Sequence, residues 1–219
     1  DKMVELHMKD KSQEEIIDIL DKFTEDKLVP AINGRMAELG DYMNVFQPKI
    51  DFKREAIADT GIWVAKKRYA LNVWDNEGVR YHEPHLKVMG LEIVRSSTPA
   101  PVRSSLKKAV ELCLNKDEKE LQDFVENTWQ AFKKMSPEEI AFPRGCNNID
   151  KYSSRETVYT KGTPMHVRGA LVYNHLLRTQ KLEKKYQIIQ DGDKIKFLYL
   201  KEPNHVRENT VAMNGLMPK

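Results

Sequence analysis

Lys66-Lys67-Arg68-Tyr69 sets three consecutive cations beside an aromatic ring, on a segment that otherwise alternates like a strand. Cations at that density can hold the phosphates of a nucleic-acid backbone. A solvated strand edge, where lysines discourage edge-to-edge pairing, would use the same residue types. The run does not stand alone. Arg95, Lys151, Tyr152, His166 and Arg168 share its chemistry and fall at expected strand starts, loop ends or first helical turns, where a side chain can reach a phosphate or a groove edge. Phosphate contacts give affinity but little sequence reading, so the expectation is sequence-tolerant duplex binding.

The acids support a narrower set of roles. Glu55 lies between Arg54 and the apolar Ala56-Ile57-Ala58 on an expected strand, which suggests partial burial with a charge partner. It is either a structural ion pair or a carboxylate beside bound metal and triphosphate. Glu77 follows Asp75 in an expected turn, where a solvated acid is the plain reading. Two-metal phosphoryl transfer needs carboxylates that hold two Mg²⁺ ions a few ångströms apart. Asp191-Gly192-Asp193 has a suitable spacing but reads as a hairpin, and no metal ligand is assigned. The six histidines form no metal set; His82 and His85 read as turn residues. A P-loop, a G-x-G-x-x-G run and a nucleophile elbow are all absent from the sequence.

Net charge is +3, from 36 basic and 33 acidic residues, so nucleic-acid binding requires cations sorted onto one face and acids elsewhere. A hydrophobic share of 40% and a charged share of 32% fit a globular domain rather than a disordered chain. Cys113 and Cys146 lack metal-ligand spacing; two cysteines in 219 residues suggest a reducing compartment, with Cys113 on the buried face of a helix. No apolar run approaches the roughly 20 residues of a membrane span, so no membrane partner is expected. The N-terminus is not a signal peptide, and Asp1 in place of Met suggests a processed chain or a piece of a longer one.

The elements that must position these residues can be read in order. Ser12-Gln13-Glu14-Glu15 has the form of a capping box, and apolar residues from Ile16 to Leu39 recur at helical spacing. A helix is expected over about 12–43, kinked or interrupted near Pro30. Residues 49–58 read as a strand, and 67–74 and 79–81 as a hairpin turning through 75–78. From Thr98, which is expected to cap a helix with Pro99 at its first position, the pattern becomes helical, with a second helix capped by Asp117 and Glu120. Residues 142–163 read as a long surface loop, and Thr163-Pro164 opens a helix. Lys194 to Leu200 reads as the last strand. The fold class is α+β, with a boundary near residue 88.

Residues Lys66 to Asp75, with Arg54-Glu55-Ala56-Ile57-Ala58 before them and the Lys87 to Pro99 stretch after, resemble the C-terminal part of a family B replicative DNA polymerase of the tailed-bacteriophage type. Asn147-Asn148-Ile149-x-Lys151-Tyr152 and Met165-His166-Val167-Arg168-Gly169-Ala170 resemble thumb segments of the same enzymes. The resemblance implies a partial palm over 1–88, a long helix plus antiparallel strands, followed by a mainly helical thumb over 89–219. It implies that Lys66 and Lys67 meet the primer end, with Lys67 and Arg95 reaching the minor groove. Arg68 and Tyr69 would brace this segment and the primer backbone, and Lys151, Tyr152, His166 and Arg168 would contact duplex backbone. Glu55 would be the palm carboxylate near the metal site and Glu77 a more distant acid; Lys53 stands where some relatives carry a further acid.

The implied partners are a primer-template DNA duplex and an N-terminal polymerase segment carrying exonuclease, fingers and the rest of the palm, with a sliding clamp as a further candidate. Mg²⁺ would serve the complete enzyme through ligands outside this chain. The fragment alone would be inactive, and its compartment would be the cytoplasm of the infected bacterial host. A free-standing, non-catalytic duplex-binding module is the alternative from another class.

Overall fold

A computed structural model describes residues 7–47 and 50–215. The fold is α+β, and its contacts divide the chain into two units, Asp1–Met89 and Gly90–Lys219. Among the described residues no helix is long and apolar enough to cross a membrane.

The first unit begins with α1 (Gln13–Phe23), whose capping box is formed: the Glu15 N–H donates to Ser12 Oγ and the Ser12 N–H to Glu15 Oε2. A π-helical turn, Thr24–Leu28, leads into α2 (Val29–Tyr42). Pro30 lies in the first turn of α2, where its missing N–H costs little, and the π turn before it makes room for the proline ring against the preceding carbonyls. Ile17 is buried, whereas Phe23, Leu28, Ile32 and Leu39 on the same helical run are exposed.

Three antiparallel strands follow in the order β1 (Ala56–Ala65), β2 (Arg68–Asn76) and β3 (Val79–Met89). The expected strand over 49–58 is displaced: the strand begins at Ala56, and residues 51–55 run outside any ladder. Lys49 lies outside the described residues. Residue 52 is tied instead to the helix, because the Phe52 N–H donates to Asn33 Oδ1 and Asn33 Nδ2 donates to the Phe52 carbonyl. The β2–β3 turn is shorter than expected, only Glu77-Gly78, with φ of 53° and 84°. Two consecutive positive φ values match the twist of a two-residue hairpin, which is why glycine follows. His82 and His85 lie within β3 rather than in a turn, and the Tyr81 and His85 rings pack at 5.4 Å.

The second unit opens with a short 3₁₀ turn, Glu92–Val94, and the helices α3 (Ala100–Asn115) and α4 (Glu118–Phe132). Pro99 occupies the cap position of α3, not Thr98. Asp117 caps α4 through the Glu120 N–H. Val102, Leu106, Ala109 and Val110 are half-buried on α3, but Cys113, expected on the same face, is exposed and its neighbour Leu114 is buried.

The expected loop over 142–163 is instead a chain of short elements: β4 (Phe142–Gly145), α6 (Ile149–Tyr152), β5 (Ser153–Ser154) and β6 (Val158–Tyr159), preceded by a helical turn α5 (Pro137–Ile140). Then come α7 (Met165–Thr179), β7 (Lys194–Tyr199) and β8 (Thr210–Met213), a further strand beyond the one expected to be last. A three-stranded antiparallel sheet of order β4-β7-β8 therefore accompanies the helices of this unit.

Its core lies between α7 and the sheet, with Val167, Ala170, Leu177, Ile195 and Ala212 all buried. Each larger aliphatic side chain there contributes about 1.5–3 kcal/mol of transfer free energy. Gly169 permits the close approach, because a Cβ there would sit 3.0 Å from the Ala212 amide nitrogen. Asn174 is buried in this helix and binds residue 189 as a neighbouring strand would: its Nδ2 donates to the Ile189 carbonyl and its Oδ1 accepts from the Ile189 N–H.

Candidate nucleic-acid interface

The basic run sits at a hairpin tip. Lys66 and Lys67 form the β1–β2 turn rather than the start of a strand, flanked by the paired Ala65 and Arg68, and Lys67 adopts a φ of 62°. Both lysines are exposed. A tip projects side chains farther than a strand face does, and it leaves two ammonium groups open to a polyanion. Arg68 and Tyr69 begin β2 and are half-buried. Tyr69 pairs with Trp63 on one side and Met89 on the other, so the three side chains form a row across the sheet next to the tip. Trp63 is 70% exposed, and sequence reading did not single it out.

Glu55 and Glu77 are brought together. The Glu77 N–H donates to the Glu55 carbonyl at 2.7 Å, and both residues line an open cavity of about 900 Å³ with Asp21, Glu25 and Asp51. Glu55 is not on a strand and is not partly buried; its side chain is 61% exposed and pairs with Lys87 Nζ. The ion pair expected of it is present and the burial is not. Sequence reading missed the buried charge next door. Arg54 Nη1 lies 2.7 Å from Asp75 Oδ1, and Arg54 Nε 2.7 Å from Asp21 Oδ1. Asp75 also accepts from the Gly78 N–H and Arg80 Nε. Burial raises the Asp75 carboxyl, but the hydrogen bonds from Arg54, Arg80 and Gly78 outweigh it and hold the group below its ordinary value. This network ties the residue 51–55 segment, α1 and the Glu77 turn together, and thereby fixes the acidic cavity. The signal in sequence was slight: Asp75 beside a turn glycine reads as turn chemistry alone.

In the complete enzyme that the resemblance implies, Mg²⁺ would do the chemistry. Among the described residues no group of three or more His, Cys, Asp or Glu side chains is arranged to hold a metal ion. The cavity acids do not fit that task, and no catalytic step is assigned to them through a metal.

In the second unit, Arg95 follows the 3₁₀ turn and stands 3.7 Å from Glu92, largely exposed. Lys151 and Tyr152 end α6, with the Lys151 ammonium 5.5 Å from the Tyr152 ring centre. His166 and Arg168, two positions apart and about 200° apart around α7, face different neighbours. The His166 ring packs 6.2 Å from Phe197; burial and then the Arg144 charge hold its basicity below the ordinary value, which favours the neutral ring over the cation. Arg168 is also more enclosed than expected: its guanidinium lies 4.4 Å from the Tyr159 ring centre and donates to Asn209 Oδ1. The Tyr159 hydroxyl in turn donates to Glu208. Arg168 thus clamps β6 and the stretch before β8 to the first turn of α7.

Two curated proteins match the chain closely. It is 37% identical over 204 residues to the DNA-directed DNA polymerase of Escherichia phage RB69, covering 90% of this chain and 22% of that protein. It is 33% identical over 210 residues to the DNA-directed DNA polymerase of Enterobacteria phage T4, covering 92% of this chain and 23% of that protein. The chain is homologous to a segment of phage DNA-directed DNA polymerases. It spans between a fifth and a quarter of the length of those relatives. No protein-family model matches it. The chain thus carries its hairpin-tip lysines and acidic cavity on the first unit and its α6–α7 residues on the second.

Proposed function

We propose that the chain is the end of the palm (1–88) and most of the thumb (89–219) of a family B DNA polymerase, and that it grips primer-template duplex for nucleotidyl transfer completed by another segment. The observation that carries this reading is the exposed Lys66-Lys67 tip in a chain homologous to phage polymerases. Lys66 and Lys67 supply charge at the primer end, Arg68 and Tyr69 support the turn from the strand behind it, and Arg95, Lys151 and Tyr152 add backbone contacts. His166 and Arg168 act by holding the first turn of α7 in shape. Glu55 and Glu77 border the nucleotidyl-transfer site and leave its metal ligation to the other segment.

The exposed row Phe23, Leu28, Ile32 and Leu39 supports a partner segment, since four large apolar side chains on one helical run need a cover. That partner carries the remaining palm, the fingers and the exonuclease, and the assembled enzyme works in the cytoplasm of the infected bacterium. The test is a salt titration of primer-template binding by the 219-residue chain. Lys67→Ala is expected to weaken binding and to reduce the salt slope by about one. An unchanged affinity and slope would remove Lys67 from the interface.

A further inference from the structure

Trp63 leaves most of a large aromatic ring in water, at 70% exposure, three residues before Lys66. Such a ring gains much from burial, so its exposure beside two lysines marks a surface that something covers. The ring is not loose. Gly61 lies two residues back on the same face of β1, and a Cβ there would sit 2.8 Å from Trp63 Cη2, 3.0 Å from Cζ3 and 2.6 Å from Leu71 Cδ2. The far edge of the indole therefore folds back along β1 and rests over Gly61, beside the Leu71 methyl. Any larger residue at position 61 would lift it. Tyr69 and Leu71 face Trp63 and Gly61 across the β1–β2 ladder, and Met89, 48% exposed, continues the row beyond Tyr69.

Whatever covers the ring must also meet two lysines. Lys66 and Lys67 are exposed at the tip of the same hairpin, and among the described residues neither has a carboxylate within ion-pair distance. A polyanion with apolar surface between its charges matches both features. Nucleic acid is built that way, with phosphates for the ammonium groups and deoxyribose or base edges for the ring. The spacing agrees. Three residues of strand cover about 10 Å and a duplex advances about 3.4 Å per nucleotide on each strand, so a phosphate held at the tip leaves a sugar some three steps away within reach of Trp63. A ring already seated loses little freedom on binding, so its contact adds to affinity at small entropic cost.

We infer that Trp63 is a duplex contact, its indole packing on a deoxyribose of the strand whose phosphates Lys66 and Lys67 hold, with Gly61 as the seat that presents the ring. The inference rests on the duplex-binding reading above and adds to the tip lysines a contact that carries no charge. In the 219-residue chain, Trp63→Ala is therefore expected to weaken primer-template binding about tenfold and to leave the salt slope at the parent's value, because counterion release follows phosphates neutralised and not apolar contact. Duplex is expected to quench the parent's tryptophan emission, and Trp63→Phe, which keeps an aromatic ring, is expected to bind duplex but to lose that quenching. A fall in salt slope matching that of Lys67→Ala would show that the ring only supports the lysine tip and would overturn the contact. Unchanged affinity in Trp63→Ala and unchanged quenching in Trp63→Phe, with Lys67→Ala still weakening binding, would overturn it too and leave the duplex reading standing. If a purified N-terminal polymerase segment quenches Trp63 and duplex does not, the ring belongs to a protein interface and the inference fails. If the parent chain binds no duplex, both readings fail.

Discussion

Arg54 and Asp75 form a buried ion pair, Nη1 to Oδ1 2.7 Å, with side chains 8% and 3% exposed. The pair joins a segment outside any strand to the end of β2, and through Asp21 and Arg80 it reaches α1. Removing one partner leaves a buried charge with incomplete compensation. Arg54→Ala is therefore expected to destabilise the chain by about 3 kcal/mol, the low end for a broken buried pair because Arg80 still faces Asp75. Urea unfolding measures this, with Arg54→Lys expected between the two because it keeps charge but not the planar fork.

The same pair gives stability a pH dependence of known sign. Hydrogen bonds hold the folded Asp75 carboxyl below its ordinary value, so in acid the unfolded chain takes up a proton there first. The contribution is fully present above about pH 4, the unfolded value, and is lost as pH falls toward the folded one. Asp59 acts in the same direction: burial raises it, but Trp74, Asn72 and Thr60 donate to it and hold it low. Asp75→Asn is expected to be less stable at neutral pH and to have a flatter acid limb, read from melting temperatures across the acid range.

The two thiols are expected to separate cleanly. Cys146 is fully buried, and burial with the Asp191 and Asp193 carboxylates pushes its thiol up to about 11. Cys113 is exposed. An aromatic disulfide reagent at mildly alkaline pH is expected to titrate one thiol quickly in the native chain and the second only after denaturant is added. Rapid reaction of both would mean that the α6 region opens readily.

Glu55 separates binding from chemistry. Its pair with Lys87 is exposed, so Glu55→Ala is expected to change stability by less than about 1 kcal/mol. Duplex affinity is expected to stay within twofold in a fluorescence-anisotropy titration, because none of the residues assigned to duplex binding lines the cavity that holds Glu55. A large rise in duplex affinity would mean that Glu55 repels bound DNA directly.

Local chemistry was the most legible part of the sequence. The Ser12/Glu15 capping box, the helix through residue 42 and the β2–β3 hairpin each depend on residues a few positions apart. What sequence hid depends on distant partners. The β1 strand starts at Ala56 because its ladder partner Asn76 ends there, and the short elements after Phe142 exist because the Cys146 N–H bonds the Asp193 carbonyl and the Ile149 N–H bonds Asp191. Strand β8 has four residues, too few for periodicity to announce. At the candidate site, residue types were readable, but their setting was not. Lys67 lies in a left-handed turn, Glu55 is open to solvent, and His166 and Arg168 are engaged by Phe197 and by Tyr159 with Asn209.

The most direct test of the polymerase reading is primer extension by a reconstituted mixture. The 219-residue chain is combined with a purified segment carrying the exonuclease, fingers and remaining palm of a related phage polymerase, with primer-template, nucleotides and Mg²⁺. Extension is expected in the mixture and in neither component alone, and it is expected to fall when the chain carries Lys67→Ala or Glu55→Ala. Duplex binding by the folded chain with no extension in the mixture would contradict the account and identify the chain as a free-standing duplex-binding module.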